Sequence, residues 1–143
     1  MNQFEKAYQE ERKLAAKMEN AKTPEEQRDT MNEYDAFMEE VEDLSTIDGI
    51  AFQEIYQNYA ESRRNESNIL VFQGITAHQD LLVQIMKANR IREFAITGDP
   101  EAIEDALQFI KAGCKITGAK KVITFKTIKG KETRKPALTF RIL

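Results

Sequence analysis

The chain has 143 residues, 41% of them hydrophobic, one cysteine and a formal net charge of −3. That size and apolar content suit one domain, or a small domain with an extension, and argue against global disorder. The lone cysteine excludes an internal disulfide, as in a reducing compartment, and no apolar run approaches the ~18 residues of a membrane span.

The opening stretch "MNQFEKAYQEERK" is polar from the start and lacks the apolar core of a signal peptide, which predicts a cytoplasmic protein. In the same region Phe4, Ala7, Tyr8, Leu14, Ala15 and Met18 recur at three-to-four spacing, the stripe of a helix with one buried side. Thr23-Pro24-Glu25-Glu26 then supplies an N-cap, a proline at the first helical position and a capping-box glutamate. The helix it opens carries Met31, Tyr34, Phe37 or Met38, Val41 and Leu44 as its apolar set. "STID" at 45–48 starts a third helix with Ile47, Ile50, Ala51, Ile55 and Tyr59. Through Glu66 the chain holds eight basic and seventeen acidic residues, so these helices present acidic outer faces. The polar "SRRNESN" at 62–68 breaks the pattern and reads as a linker or sharp junction. Residues 1–66 are therefore expected to form an acidic region of three helices, and 67–143 a second domain.

The second half changes character at "ILVF", 69–72, a short continuous apolar run typical of a strand buried on both faces. Thr76 with Gln79 forms another capping box and predicts a helix through Leu82, Ile85 and Met86. "IREFAITG" is a second strand, and Asp99-Pro100-Glu101 opens a helix lined by Ala102, Ile103, Ala106, Leu107 and Ile110. "KKVITFKTI" and "PALTFRIL" close the chain as two strands around a glycine-containing loop, a hairpin. The expected order from 69 onward is β-α-β-α-β-β. Strands are expected near 69–73, 92–97, 121–128 and 137–142, the first two parallel, with both helices on one face of the sheet. The fold class is α+β, in two layers. Leu70, Phe72, Phe94, Ile96, Phe125 and Phe140 are the expected core.

Charge is distributed unevenly. Residues 111–143 carry ten Lys/Arg and one acid, or +9, whereas 1–110 carry eleven Lys/Arg and twenty-three acids, or −12. The excess is concentrated in the hairpin "KTIKGKETRKPALTF", where Lys126, Lys129, Lys131, Arg134 and Lys135 face one acid, Glu132. A basic two-stranded ribbon of this kind can enter a groove of DNA or RNA and neutralise phosphates, releasing a counterion with each. Gly130 would let the turn approach a backbone closely, and Pro136 would stiffen the return strand. Two other uses of the same charge stand beside that one: lysines that block edge-to-edge aggregation, or partners for the chain's own acidic helices.

From residue 68 on, "NILVFQG", "RIREFAITGDPEAIEDALQFIK" and "KKVITFKTIKGKETRKPALTFRIL" resemble, in order and length, the Alba-like superfamily of chromatin and RNA-binding proteins, including the stage V sporulation protein S type. The C-terminal domain of bacterial initiation factor three has a similar pattern. The Alba resemblance implies a homodimer that binds DNA or RNA with little sequence preference. Its C-terminal hairpin would reach along a minor groove, which here assigns that role to Lys126, Lys129, Lys131, Arg134 and Lys135. In the family a basic loop after the first strand sits over the nucleic-acid backbone. The matching stretch here, "QGITAHQD", has no Lys or Arg, and the acidic N-terminal half has no counterpart.

A few further residues bear on chemistry. His78, near a helix N-terminus, could touch a phosphate or simply face solvent. Cys114 is placed near the end of the second domain helix and reads as packed rather than reactive. Phe94, Phe125 and Phe140 could stack bases if exposed, but their alternation marks them as core. One His and one Cys give no metal cluster, and no Gly-rich phosphate loop or acid–base constellation is visible, so no enzyme, cofactor or metal is expected. The expected function is non-catalytic nucleic-acid binding as a homo-oligomer, with no membrane association. The alternative is a regulatory or inhibitor-type module, of mobile-element kind, that binds a protein partner through its acidic helices.

Overall fold

The computed structural model describes residues 2–41, 45–74, 76–98 and 102–143. Its elements are α1 (Gln3–Asn20), α2 (Pro24–Val41), α3 (Ile47–Arg64), β1 (Leu70–Gln73), α4 (Gln79–Ala88), β2 (Glu93–Thr97), α5 (Ala102–Lys111), β3 (Cys114–Lys126) and β4 (Glu132–Ile142). Among the described residues, five helices and one four-stranded mixed sheet, with the helical region first, make the α+β class that the sequence predicts. The chain divides into two compact units, 1–53 and 54–143, so the division falls inside α3.

In the first unit each helix starts where a capping side chain is available. The Asn2 side chain accepts from the Glu5 N–H at 2.7 Å, and Thr46 Oγ1 from the Gly49 N–H at 2.9 Å. Thr23 Oγ1 accepts from the Glu26 N–H at 3.1 Å, and Glu26 reaches back to the N–H of Lys22, one residue earlier than an ordinary capping box. Helices α1 and α2 run antiparallel, linked by a Lys17–Glu33 ion pair and by a hydrogen bond from the Tyr34 hydroxyl to Glu11. Phe4, Tyr8 and Leu14 are buried as their spacing predicts, and the Phe4 ring stacks on Phe52 at 4.6 Å. The expected stripes of α2 and α3 hold only in part, since Val41 and Ala51 are buried but Met31, Ile47 and Ile50 are exposed. Leu44 lies outside the described residues.

In the second unit the strand order is β1-β2-β4-β3, with β1 and β2 parallel and the other pairs antiparallel. Alternate residues divide between two faces. One face gathers Phe72, Phe94 and Phe140, into which α5 inserts Phe109; the Phe94 and Phe140 rings stack at 5.2 Å and Phe109 lies 4.8 Å from Phe94. Helix α4, beside α5, adds Leu82, Val83 and Met86. The other face gathers Val71, Ala95, Val122 and Ala137, with Ile69 against them.

The structure corrects several expectations. "SRRNESN" is not a linker: α3 runs through its first residues, and Ser62 and Asn65 are buried. Asn58 and Ser62 accept from the N–H groups of Gln73 and Val71 at 3.1 and 3.0 Å. Four helical residues rise ~6 Å and two strand residues span ~6.6 Å, so one turn of α3 matches the free edge of β1 and satisfies it. Thr76 does not cap α4. Its N–H and hydroxyl both go to the buried carboxylate of Asp105, at 3.0 and 3.1 Å, and the helix starts at Gln79 after an uncapped, left-handed His78. The same Asp105 anchor sets the rotation of α5. It buries Asp105, Ala106 and Phe109 and leaves the expected Ile103, Leu107 and Ile110 exposed. The Asp99-Pro100-Glu101 start signal lies outside the described residues. Strand β3 begins at Cys114 rather than near 121, so Cys114 is the buried first residue of a strand and not part of a helix. Phe125 is 55% exposed, because the buried side of this stretch of β3 is taken by Val122 and Thr124, and strict alternation then turns Lys121, Ile123 and Phe125 to the other side.

Candidate nucleic-acid interface

Strands β3 and β4 outrun the rest of the sheet. The pairing of β2 with β4 ends at Ala137, whereas β3 and β4 stay paired out to Lys126 and Glu132. The outer part is thus a two-stranded ribbon. Pro136 sits at its root, just beyond β2's reach, where a missing N–H disrupts no second ladder. The tip closes through a Thr127 N–H to Lys131 carbonyl bond and a Gly130 N–H to Thr127 carbonyl bond, both 2.9 Å, and Thr127 Oγ1 accepts from the Lys131 N–H. Gly130 has φ +85°, a conformation that excludes most side chains, so glycine is needed there. Ile128 stands fully in solvent at the apex.

The ribbon is tied down by α3 along its outer half, next to the turn. Buried Asn65 acts as a stand-in strand. Its Nδ2 donates to the Thr124 carbonyl at 3.1 Å, and its Oδ1 accepts from the Lys126 N–H at 3.0 Å. The Gln73 side chain donates to the same Thr124 carbonyl. Glu66, the residue after Asn65, pairs with the Lys126 ammonium, which holds the Glu66 carboxyl below its ordinary range.

The five residues singled out in the sequence therefore play different parts. Lys126, in the last pair before the turn, is largely covered and engaged by Glu66, and Arg134 forks onto Glu132 across 2.7 Å. Lys129, Lys131 and Lys135 are exposed and form no ion pair among the described residues. Sequence reasoning passes over Lys120 and Lys121, which β3 carries at the ribbon's root, and Lys115 at the other end of the same strand, opposite Arg141. The signal it misses is the length of β3: with that strand read as "KKVITFKTI", Lys115 falls outside it. The loop after β1 is acidic in its surroundings. His78 is exposed there, and Glu54 lies near both His78 and buried Asp105, its carboxyl pushed up by burial. Cys114 is equally shielded, and burial pushes its thiol up to about 11.

A second basic group lies at the opposite end of β2. Arg90, Arg92, Glu93, Arg141 and Ile142 line an open cleft of about 570 Å³. Arg141 faces Glu93 on one side, at 3.0 Å, and Lys115 on the other in the strand register. Among the described residues, the Arg90 and Arg92 side chains make no hydrogen bond or ion pair.

The two units differ in charge as they do in structure. Residues 1–53 hold six Lys/Arg and fourteen acids, or −8, and residues 54–143 hold fifteen and ten, or +5. Among the described residues no helix is long and apolar enough to cross a membrane, and no group of three or more His, Cys, Asp or Glu side chains could hold a metal ion. No curated protein and no solved structure gives a significant match to the chain. A family model, described as a domain of unknown function (DUF7698), matches residues 54–142, the extent of the compact basic unit including the end of α3, and the chain accordingly belongs to that family.

Proposed function

We propose that the 54–143 unit binds nucleic acid, DNA or RNA, without catalysis and with little sequence preference, through its basic ribbon. The observation that carries this reading is the set of Lys129, Lys131 and Lys135, exposed and unpaired among the described residues on a ribbon that extends past the sheet. Edge protection alone would not require a tether as specific as Asn65, which holds the ribbon's outer half in one place. Kinship with the Alba-like superfamily belongs to the same proposal, supported by the element order and the terminal basic hairpin.

The reading includes a homodimer. Helix α5 exposes Ile103, Leu107 and Ile110 along one side, with Glu104 in its first turn and Lys111 in its last. Two copies of α5 packed antiparallel would cover these side chains and set each Glu104 against the other's Lys111. Light scattering should give a dimer that Leu107→Glu converts to a monomer; a monomeric parent at high concentration removes this part of the proposal.

Binding is tested by titrating duplex DNA, single strands and RNA across salt concentrations. Alanine at Lys129, Lys131, Arg134 and Lys135 together should leave folding intact and lower the log–log salt slope on B-DNA by roughly 0.9 for each phosphate no longer neutralised. Neutralising the α2 acids Glu39 and Glu40 should leave binding unchanged or tighten it; the neighbouring Glu42 and Asp43 lie outside the described residues. If the quadruple variant binds as well as the parent at every salt concentration, the lysines protect an edge, and the protein-partner reading replaces this one.

A further inference from the structure

We propose that the cleft lined by Arg90, Arg92 and Arg141 is a phosphate-binding site, and that it engages the backbone of the same nucleic acid that the ribbon grips. This rests on the proposed function and supplies a second binding surface on the body of the domain, which the acidic loop after β1 cannot provide.

Helix α4 ends in a Schellman motif, with the Ile91 N–H on the Met86 carbonyl at 2.9 Å and the Arg90 N–H on Lys87 at 3.1 Å. That motif puts Arg90 in the left-handed region, at φ +62°. Glycine is the residue this position favours, and a side chain with a Cβ is strained there. The Arg90 side chain does nothing for the fold in return. It is exposed and makes no hydrogen bond or ion pair among the described residues. A strained residue with no structural partner, opening onto a cleft, points to a ligand.

The chemistry of the cleft names that ligand's class. Three guanidinium groups and one carboxylate line it, and Lys115 stands opposite Arg141 on the neighbouring strand. Glu93 occupies Arg141 and leaves Arg90 and Arg92 uncommitted. Guanidinium forks match phosphate oxygens in pairs, and an open, positively charged cleft suits a phosphodiester running along the surface. The line Glu93–Arg141–Lys115 spans β2, β4 and β3 and so carries positive charge onto the strand that leads to the ribbon.

The test uses substitutions whose structural and binding effects have opposite signs. Arg90→Gly relieves the backbone strain and should raise Tm by roughly 3–6 °C. If Arg90 holds a phosphate, the same variant should bind duplex DNA or RNA more weakly, with a salt slope lower by about 0.9, and Arg92→Ala should lower it by a similar amount. Glu93→Gln frees Arg141 and should tighten binding. A second arm measures Tm in inorganic phosphate against chloride at equal ionic strength, to separate a free anion from a backbone phosphate. If Arg90→Gly and Arg92→Ala bind like the parent while the ribbon variant does not, the cleft site is overturned and the ribbon reading stands. If the parent binds no nucleic acid but phosphate raises its Tm and not that of Arg90→Gly, the site takes a free phosphate and the backbone assignment fails. If neither arm responds, the cleft binds no phosphate.

Discussion

Replacing Asn65 by alanine should separate the ribbon from the body of the second unit. Asn65 is only 4% exposed and makes two bonds to β3, at 3.1 and 3.0 Å, with a weaker one to Glu61 at 3.3 Å. Each buried bond is worth ~1 kcal/mol net, and the Lys126 N–H left without an acceptor costs a further ~1 kcal/mol or more. The Thr124 carbonyl keeps its bond from Gln73, so it adds no comparable penalty. The expected loss is therefore about 3 kcal/mol, large for a single domain. Asn65→Asp makes the test sharper. The carboxylate still accepts from Lys126, but it faces the Thr124 carbonyl and Glu61 without a proton to give. It should be at least as destabilised as alanine at neutral pH and should recover in acid as the carboxyl regains a donor. Urea denaturation followed by far-UV circular dichroism measures both, the chain having no tryptophan. A loss under ~0.5 kcal/mol for Asn65→Ala would refute the claim that this side chain holds the ribbon.

Phe109→Ala, which empties the centre of the ring cluster, should cost ~3–5 kcal/mol in the same assay, and a loss below ~1 kcal/mol would contradict the described core. The Cys114 thiol, buried and raised from 9.0 to about 11, should resist alkylation at pH 8 in the folded protein and react once urea unfolds it; equal rates in both states would show that it is accessible. Because the folded state holds that proton more tightly, Cys114 should contribute stability that is present below pH 9 and lost as pH rises toward about 11, so the parent should lose more stability than Cys114→Ala over that window. Glu54 is raised by burial and by neighbouring Asp105, so its ionised form opposes folding. Glu54→Gln should be more stable than the parent at neutral pH, with the gain shrinking as acid protonates Glu54, and a variant weaker than the parent at neutral pH would reverse that assignment.

The sequence alone determined the element types, their order and much of the local chemistry, because those follow from short-range pattern. Helix starts at Thr23 and Thr46 are written in capping residues, the parallel start of the sheet in two short apolar runs separated by a helix, and the ribbon in a cluster of lysines around Gly130. Tertiary structure decided what depends on partners far along the chain. "SRRNESN" looks like a linker because its residues are polar, yet Ser62 and Asn65 are polar so that they can meet strand backbone 9 and 59 residues away. The buried side of α5 is ambiguous in the sequence because both of its sides are apolar, and tertiary contacts choose between them: the Asp105–Thr76 bonds and Phe109 in the ring cluster. Phe125 reads as core because Ile123 and Phe125 make the more apolar of two alternating sets, yet the fold buries the other set, Val122 and Thr124. The arginine cleft joins residues 90–93 to 141–142, a proximity set by the pairing of β2 with β4 that no local pattern contains.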